Sequence, residues 1–208
     1  MIQQARPALR GQFHLLMALV SPAALLVLVL IADSPREYVG GAIFGASLLL
    51  LFSTSSVYHL MERGQAVLQR IDRSMIFVLI AGTYTPFCLV LLGNGWGIPI
   101  LSVVWGLAAV GIASKAVHPT PPRWFNLGLY LGLGWIGLVA IAPFASAASS
   151  TVLALLLTGG VLYSLGGVVH ARRRPDPFPG VFGYHELFHL LTALAGLTYY
   201  ATALHAFG

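Results

Sequence analysis

Charged side chains are scarce in this chain. Only 8% of its 208 residues are Asp, Glu, Lys or Arg, against about 25% in ordinary soluble domains. Six acids and eleven bases in a chain that is 58% hydrophobic, with a mean hydropathy of +0.85, exclude a water-soluble domain. Cysteine is nearly absent: Cys88 stands alone inside an apolar run, so an internal disulfide is excluded. The formal net charge is +5, yet no basic stripe with interleaved aromatics exists, and no nucleic-acid partner is expected. Lysine occurs once, as Lys115. The last apolar run has none, which excludes a retinal Schiff base there. A haem would ask for single histidines facing each other across a wide gap, and close pairs suit a small ion better.

What is present is a series of apolar runs. A spanning helix needs about twenty mostly apolar residues. Seven runs qualify, at about 13–32, 38–61, 71–92, 96–116, 123–143, 147–170 and 181–206. The gaps "ADSPRE", "MERGQ", "LGNG", "HPTPPR", "APFAS" and "ARRRPDPFPG" carry the turn and charge signals. The narrowest is the third, where only Gly93, Asn94 and Gly95 interrupt the run. The N-terminal run is about twice the length of a typical signal-peptide core and no A-x-A site follows it, so it reads as a retained first span. The expected fold is all-α: a single membrane domain of seven transmembrane helices over residues 1–208.

Basic residues set the orientation. Arg6 and Arg10 precede the first span. Arg63, Arg70 and Arg73 follow the second, Lys115 and Arg123 the fourth, and Arg172, Arg173 and Arg174 the sixth. Ten of the eleven bases thus fall on one side, with Arg36 alone on the other. The positive-inside rule makes that side cytoplasmic. The N-terminus is then inside and the C-terminus outside, as an odd number of spans requires. A plasma-membrane, multi-pass location follows.

Ionisable groups within spans are costly and are candidates for function. The second span ends "STSSVYHL", with Ser55 and His59 four apart on one helical face. The third begins "IDRSMIFVLIAGTYTPF", with Asp72 in its first turn. The seventh begins "GYHELFHLL", with His185 and His189 four apart. The topology puts all five at one depth, near the cytoplasmic ends. Three neutral imidazoles suit zinc, and three protein ligands with an open fourth position mark a catalytic site. Asp72 is the candidate proton acceptor. Ser55 is the candidate to orient Asp72 or His59, or to donate to an oxyanion.

Each residue also has a plainer reading. Asp72 can offset a helix dipole or pair with Arg70 or Arg73, and Ser55 can bond back to its own helix. His14, His118, His170 and His205 read as structural or interfacial. His205 lies about 24 Å along the helix from His189 at 1.5 Å per residue, too far to share an ion. Glu186 completes the H-E-x-x-H pattern of a zinc protease helix. It turns about one hundred degrees away from His185, and nothing else here supplies a protease fold. In "AGTYTP", Gly82 permits close helix approach and Pro86 frees a carbonyl that neighbours must satisfy. Tyr84 is a weaker cavity candidate.

Together, "SSVYH", "IDRSMIFVLIAGTYTP" and "HELFH", in this order across the whole chain, resemble the hemolysin III family. That family is grouped with the progestin and adipoQ receptors, which include the adiponectin receptors, and is related more distantly to the alkaline ceramidases. The short length resembles the bacterial branch, also called membrane homeostasis proteins. The resemblance implies an intramembrane zinc on His59, His185 and His189, with Asp72 against the zinc water and Ser55 close by. It also implies hydrolysis of lipid amides or related lipids. Relatives often carry a further histidine where this chain has Tyr199.

The leading expectation is therefore a zinc-dependent hydrolase of lipid amide or ester bonds, with a membrane lipid as substrate or ligand. A zinc-stabilised sensor or receptor-like regulator is the alternative, and a hemolysin-like pore a third. No continuous polar path runs through the outer half to favour the pore.

Overall fold

The computed structural model describes residues 9–61, 64–117 and 122–207. These residues are helical apart from short connections, and among them no extended strand forms. One isolated bridge joins Phe178 to Phe182. The elements are α1 (Gln12–Leu30), α2 (Pro35–Leu60), α3 (Gln65–Phe87), a wide-turned π-type segment (Cys88–Gly97), α4 (Ile98–Val117), α5 (Arg123–Gly134), a 3₁₀ turn (Ile136–Ala140), α6 (Ile141–Ala147), α7 (Ser150–Arg172) and α8 (Tyr184–Phe207).

Local signals set the helix starts. Ser34 caps α2 by accepting from the Glu37 N–H, and the Glu37 carboxylate returns a bond to the Ser34 N–H, with Pro35 in the first turn. Ser149 caps α7 through the Val152 N–H. The outward faces are apolar: Leu19 and Leu30 are 71% and 72% exposed. A face of that kind is stable only against lipid, which is why these helices lack the polar stripe of soluble bundles.

Among the described residues, six helices are long and apolar enough to cross a membrane. The longest, running from Gln65 to Val117, has 53 residues. Straight, it would extend roughly 80 Å, against roughly 30 Å of hydrocarbon. Instead it folds back at Gly93, whose φ of 60° and ψ of −151° interrupt the helix. The turn is tight: a Cβ on Gly97 would stand 2.1 Å from the Cys88 carbonyl oxygen. The two arms then lie side by side. Trp105 Nε1 donates to Thr85 Oγ1 at 3.2 Å, and the Phe77 ring fills the space a Cβ on Gly111 would need. The chain thus makes seven passes, the turn falling in the narrowest of the gaps.

The fifth pass is not one helix but α5, the 3₁₀ turn and α6 in succession. Tyr84 of α3 satisfies the break. Its hydroxyl donates to the Gly134 carbonyl at 2.6 Å and accepts from the Gly137 N–H at 2.8 Å. Irregular backbone at membrane depth survives only where protein pairs its polar groups in this way.

Helices α2 and α3 form the centre, with Phe44, Phe52 and Phe77 fully or almost fully buried. Small residues bring the helices close. A Cβ on Gly82 would meet the Ser47 side chain, and one on Gly45 would meet Leu25 of α1. Lys115, counted with the loop charges by sequence, is buried on α4. Its ammonium binds Asn126 and sits 5.6 and 5.7 Å from the ring centroids of Phe77 and Tyr130.

Candidate metal centre

Alternating passes bring the starts of α1, α3 and α8 to the same end of the bundle as the end of α2. His59, His185 and His189 meet there, with one ring nitrogen from each lying within 4.8 Å of the others. The Nε2 atoms of His185 and His59 are 3.2 Å apart. The His189 ring centroid lies 4.5 Å from that of His185 and 4.8 Å from that of His59. One helical turn separates His185 from His189, so α8 presents both imidazoles on one face.

The start of α8 is anchored by carboxylates. The Gly183 N–H donates to Glu186 Oε2 at 2.9 Å, and the Tyr184 N–H to Asp176 Oδ1 at 3.1 Å. These bonds satisfy two of the donors that every helix start leaves free. The other Glu186 oxygen faces Arg10 Nε at 3.5 Å, and the residue is 1% exposed. Glu186 therefore ties the α8 start to the α1 start and does not line the cavity.

Ser55 does not bond back to its own helix, unlike Ser56, whose hydroxyl donates to the Phe52 carbonyl. It lies 2.8 Å from Nδ1 of His14 and lines the same cavity as Asp72. His14 does not behave as the interfacial residue its sequence position suggests. It is 3% exposed, and its ring stacks on His189 with centroids 3.8 Å apart and an interplanar angle of 3°. His170 is also closer than expected, 5.6 Å from the His185 ring. His205 stays at the far end of α8 against the Ala201 carbonyl. His118, Arg6 and Arg63 lie outside the described residues.

The cluster opens into a cavity of about 490 Å³, within the range of small-molecule sites. Ser55, Asp72 and the three histidines line one end, and Tyr84, Tyr163 and Tyr199 lie among the lining residues contributed by α3, α7 and α8. Tyr199 stacks on Tyr163 at 5.7 Å and closes over Gly159, where a Cβ would strike its ring.

The histidines fit a zinc ion. Tetrahedral coordination at about 2.0–2.1 Å per Zn–N bond separates two ligand nitrogens by about 3.3 Å. The His59–His185 pair stands at 3.2 Å. His189 Nδ1 is buried without a hydrogen-bond partner, a polar atom whose burial carries a desolvation cost.

Sequence reasoning missed His14. The signal was available, since His14 occupies the first turn of α1 at the end of the bundle that selected His59 and Asp72. It was passed over because no partner four residues away marks it.

A polytopic helical bundle with a histidine cluster at one end defines the class of protein. The chain belongs to the family described as Haemolysin-III related, which matches residues 2–200. It is 35% identical over 181 residues to the hemolysin-3 homolog of Bacillus subtilis (strain 168), spanning 85% of this chain and 82% of that protein. It is 32% identical over 160 residues to hemolysin-3 of Bacillus cereus, spanning 74% and 73%. Similarity extends to heptahelical transmembrane protein 5 of Arabidopsis thaliana at 31%, over 80% of this chain and 48% of the plant protein. The chain is a multi-pass membrane protein, and its bacterial relatives are consistent with the plasma membrane.

Proposed function

We propose that this protein binds zinc through His59, His185 and His189 and hydrolyses an amide or ester bond of a membrane lipid, contributing to membrane homeostasis. The observation that carries the reading is the meeting of three imidazoles, a carboxyl and a hydroxyl from three helices at one end of a cavity inside a lipid-facing bundle. The excess of basic residues at that end supports a cytoplasmic orientation for the site.

A bound zinc ion supplies Lewis acidity and makes water a nucleophile near neutral pH. The protein's own groups do the rest. Asp72 is placed at the cavity wall to accept a proton and return it to a leaving amine or alkoxide. Ser55 holds the Asp72 carboxyl in orientation. The apolar cavity wall excludes bulk water and accommodates acyl chain. The lipid enters from a phase in which it is already concentrated, so the site needs no large soluble vestibule.

Metal analysis of protein purified in detergent, followed by lipidomics of cells carrying wild type or His185→Ala, tests the reading. About one zinc per chain and a lipid whose level depends on His185 are expected. A wild type that takes up no zinc overturns it.

A further inference from the structure

We infer that His14 is a positioning residue for this site, using one edge of its ring to fix the Ser55 hydroxyl at the cavity wall it shares with Asp72 and bracing His189 with its face. The inference rests on the metal-centre reading above and adds to it a fourth imidazole that is not a metal ligand. Three observations converge. His14 Nδ1 lies 2.8 Å from Ser55 Oγ. The ring stacks 3.8 Å from His189, within 3° of parallel. The side chain is 3% exposed, and Phe52 packs against its ring in a T-shaped contact at 5.1 Å.

Hydrogen-bond roles follow from the chemistry of the groups. An ionised carboxylate only accepts, so a Ser55 hydroxyl that serves Asp72, which lines the same cavity, turns its O–H towards it. That leaves a Ser55 lone pair for His14, whose Nδ1 must then carry the hydrogen. The order is His14 Nδ1–H to Ser55 Oγ, and Ser55 O–H to Asp72, running from α1 through α2 to α3. Without His14 the hydroxyl has a free choice, including the carbonyl of its own helix, as its neighbour Ser56 shows. The stack acts separately. Held between His14 on one side and the cluster on the other, the His189 ring has little freedom to rotate. Groups that fix a ligand's orientation from outside the coordination shell are typically worth 10–100-fold in metal affinity.

Two measurements test this on the full-length protein in detergent micelles. The first is zinc affinity by chelator competition for wild type, His14→Ala and His14→Phe. Alanine removes both functions and is expected to weaken binding by about 10–100-fold. Phenylalanine keeps the stacked ring and is expected to return affinity to near wild type. Wild-type affinity in the alanine variant, or no recovery with phenylalanine, overturns the bracing role. The second is nitrogen-15 NMR of histidine-labelled, metal-free wild type, with His14→Phe used to assign the signal. A neutral imidazole protonated at Nδ1 is expected, and protonation at Nε2, which would make His14 the acceptor of the Ser55 hydroxyl, overturns its role in directing that hydroxyl at Asp72. This readout needs neither zinc nor a substrate. Should the wild type bind no metal, the metal-centre reading fails and the NMR result still decides the direction of the His14–Ser55 bond.

Discussion

His59 and His185, from helices α2 and α8, approach to 3.2 Å between their Nε2 atoms, and His189 joins them within 4.8 Å. An ion held there links two helices that are distant in sequence. Because a ligand that binds only the folded state stabilises it by mass action, zinc at one hundred times its dissociation constant is worth about 2.7 kcal/mol. Stripping metal with a chelator should lower the thermal unfolding temperature, and zinc should restore it. In His185→Ala the chelator should leave the unfolding temperature unmoved. A wild type indifferent to chelator would count against the centre.

Gly11 backs onto the same site. Its φ is +80°, and a Cβ built on it would stand 2.9 Å from Cβ of His59. Gly11→Ala therefore meets two costs: left-handed backbone, about 1–2 kcal/mol for a residue with a side chain, and a push on a ligand residue. The variant should unfold at lower temperature and bind zinc more weakly than wild type. By contrast, a Cβ on Gly64, which also has positive φ at a helix start, would meet nothing within 4 Å. Gly64→Ala should lose stability and keep its zinc affinity. Equal zinc affinities in the two variants would show that the Gly11 contact does not matter.

Glu186 distinguishes this site from the zinc-protease helix that its sequence pattern imitates. It caps α8 and meets Arg10. Glu186→Gln keeps an acceptor for the Gly183 N–H, so zinc stoichiometry and any lipid turnover should survive, with a modest fall in thermal stability. Glu186→Ala leaves the Gly183 N–H and Arg10 without this partner and should cost about 1–3 kcal/mol. Loss of turnover in the glutamine variant, with folding and zinc intact, would make Glu186 the proton acceptor in place of Asp72.

Legibility from sequence followed the physics of each feature. Spans were readable because lipid demands about twenty apolar residues whatever the tertiary fold. The His185–His189 pair was readable because both ligands sit one turn apart on a single helix. His59 and Asp72 became readable once charge asymmetry had assigned depth. His14 was not, because its role is a stack and a hydrogen bond across helices, and neither leaves a spacing in the chain. The roles of Glu186 and Tyr84 were hidden for the same reason: each satisfies backbone groups of a helix start or break that hydropathy does not reveal. The break in the fifth pass lies within an apolar run whose glycines, Gly132, Gly134 and Gly137, are also frequent in continuous membrane helices, so hydropathy carried no sign of it.

Tyr84 provides the test of that last point. Its hydroxyl both donates to the Gly134 carbonyl and accepts from the Gly137 N–H, two groups that the interrupted helix leaves unpaired. Tyr84→Phe removes one oxygen and strips both partners in a region without bulk water, at a cost of about 1–3 kcal/mol for each group left unsatisfied there. The unfolding temperature should fall clearly. Zinc affinity should hold, because Tyr84 belongs to the cavity wall and not to the histidine cluster. Hydrogen exchange should accelerate at Gly137 and its neighbours and stay unchanged along α8. Unchanged exchange at Gly137 would mean that the break is satisfied by groups other than Tyr84.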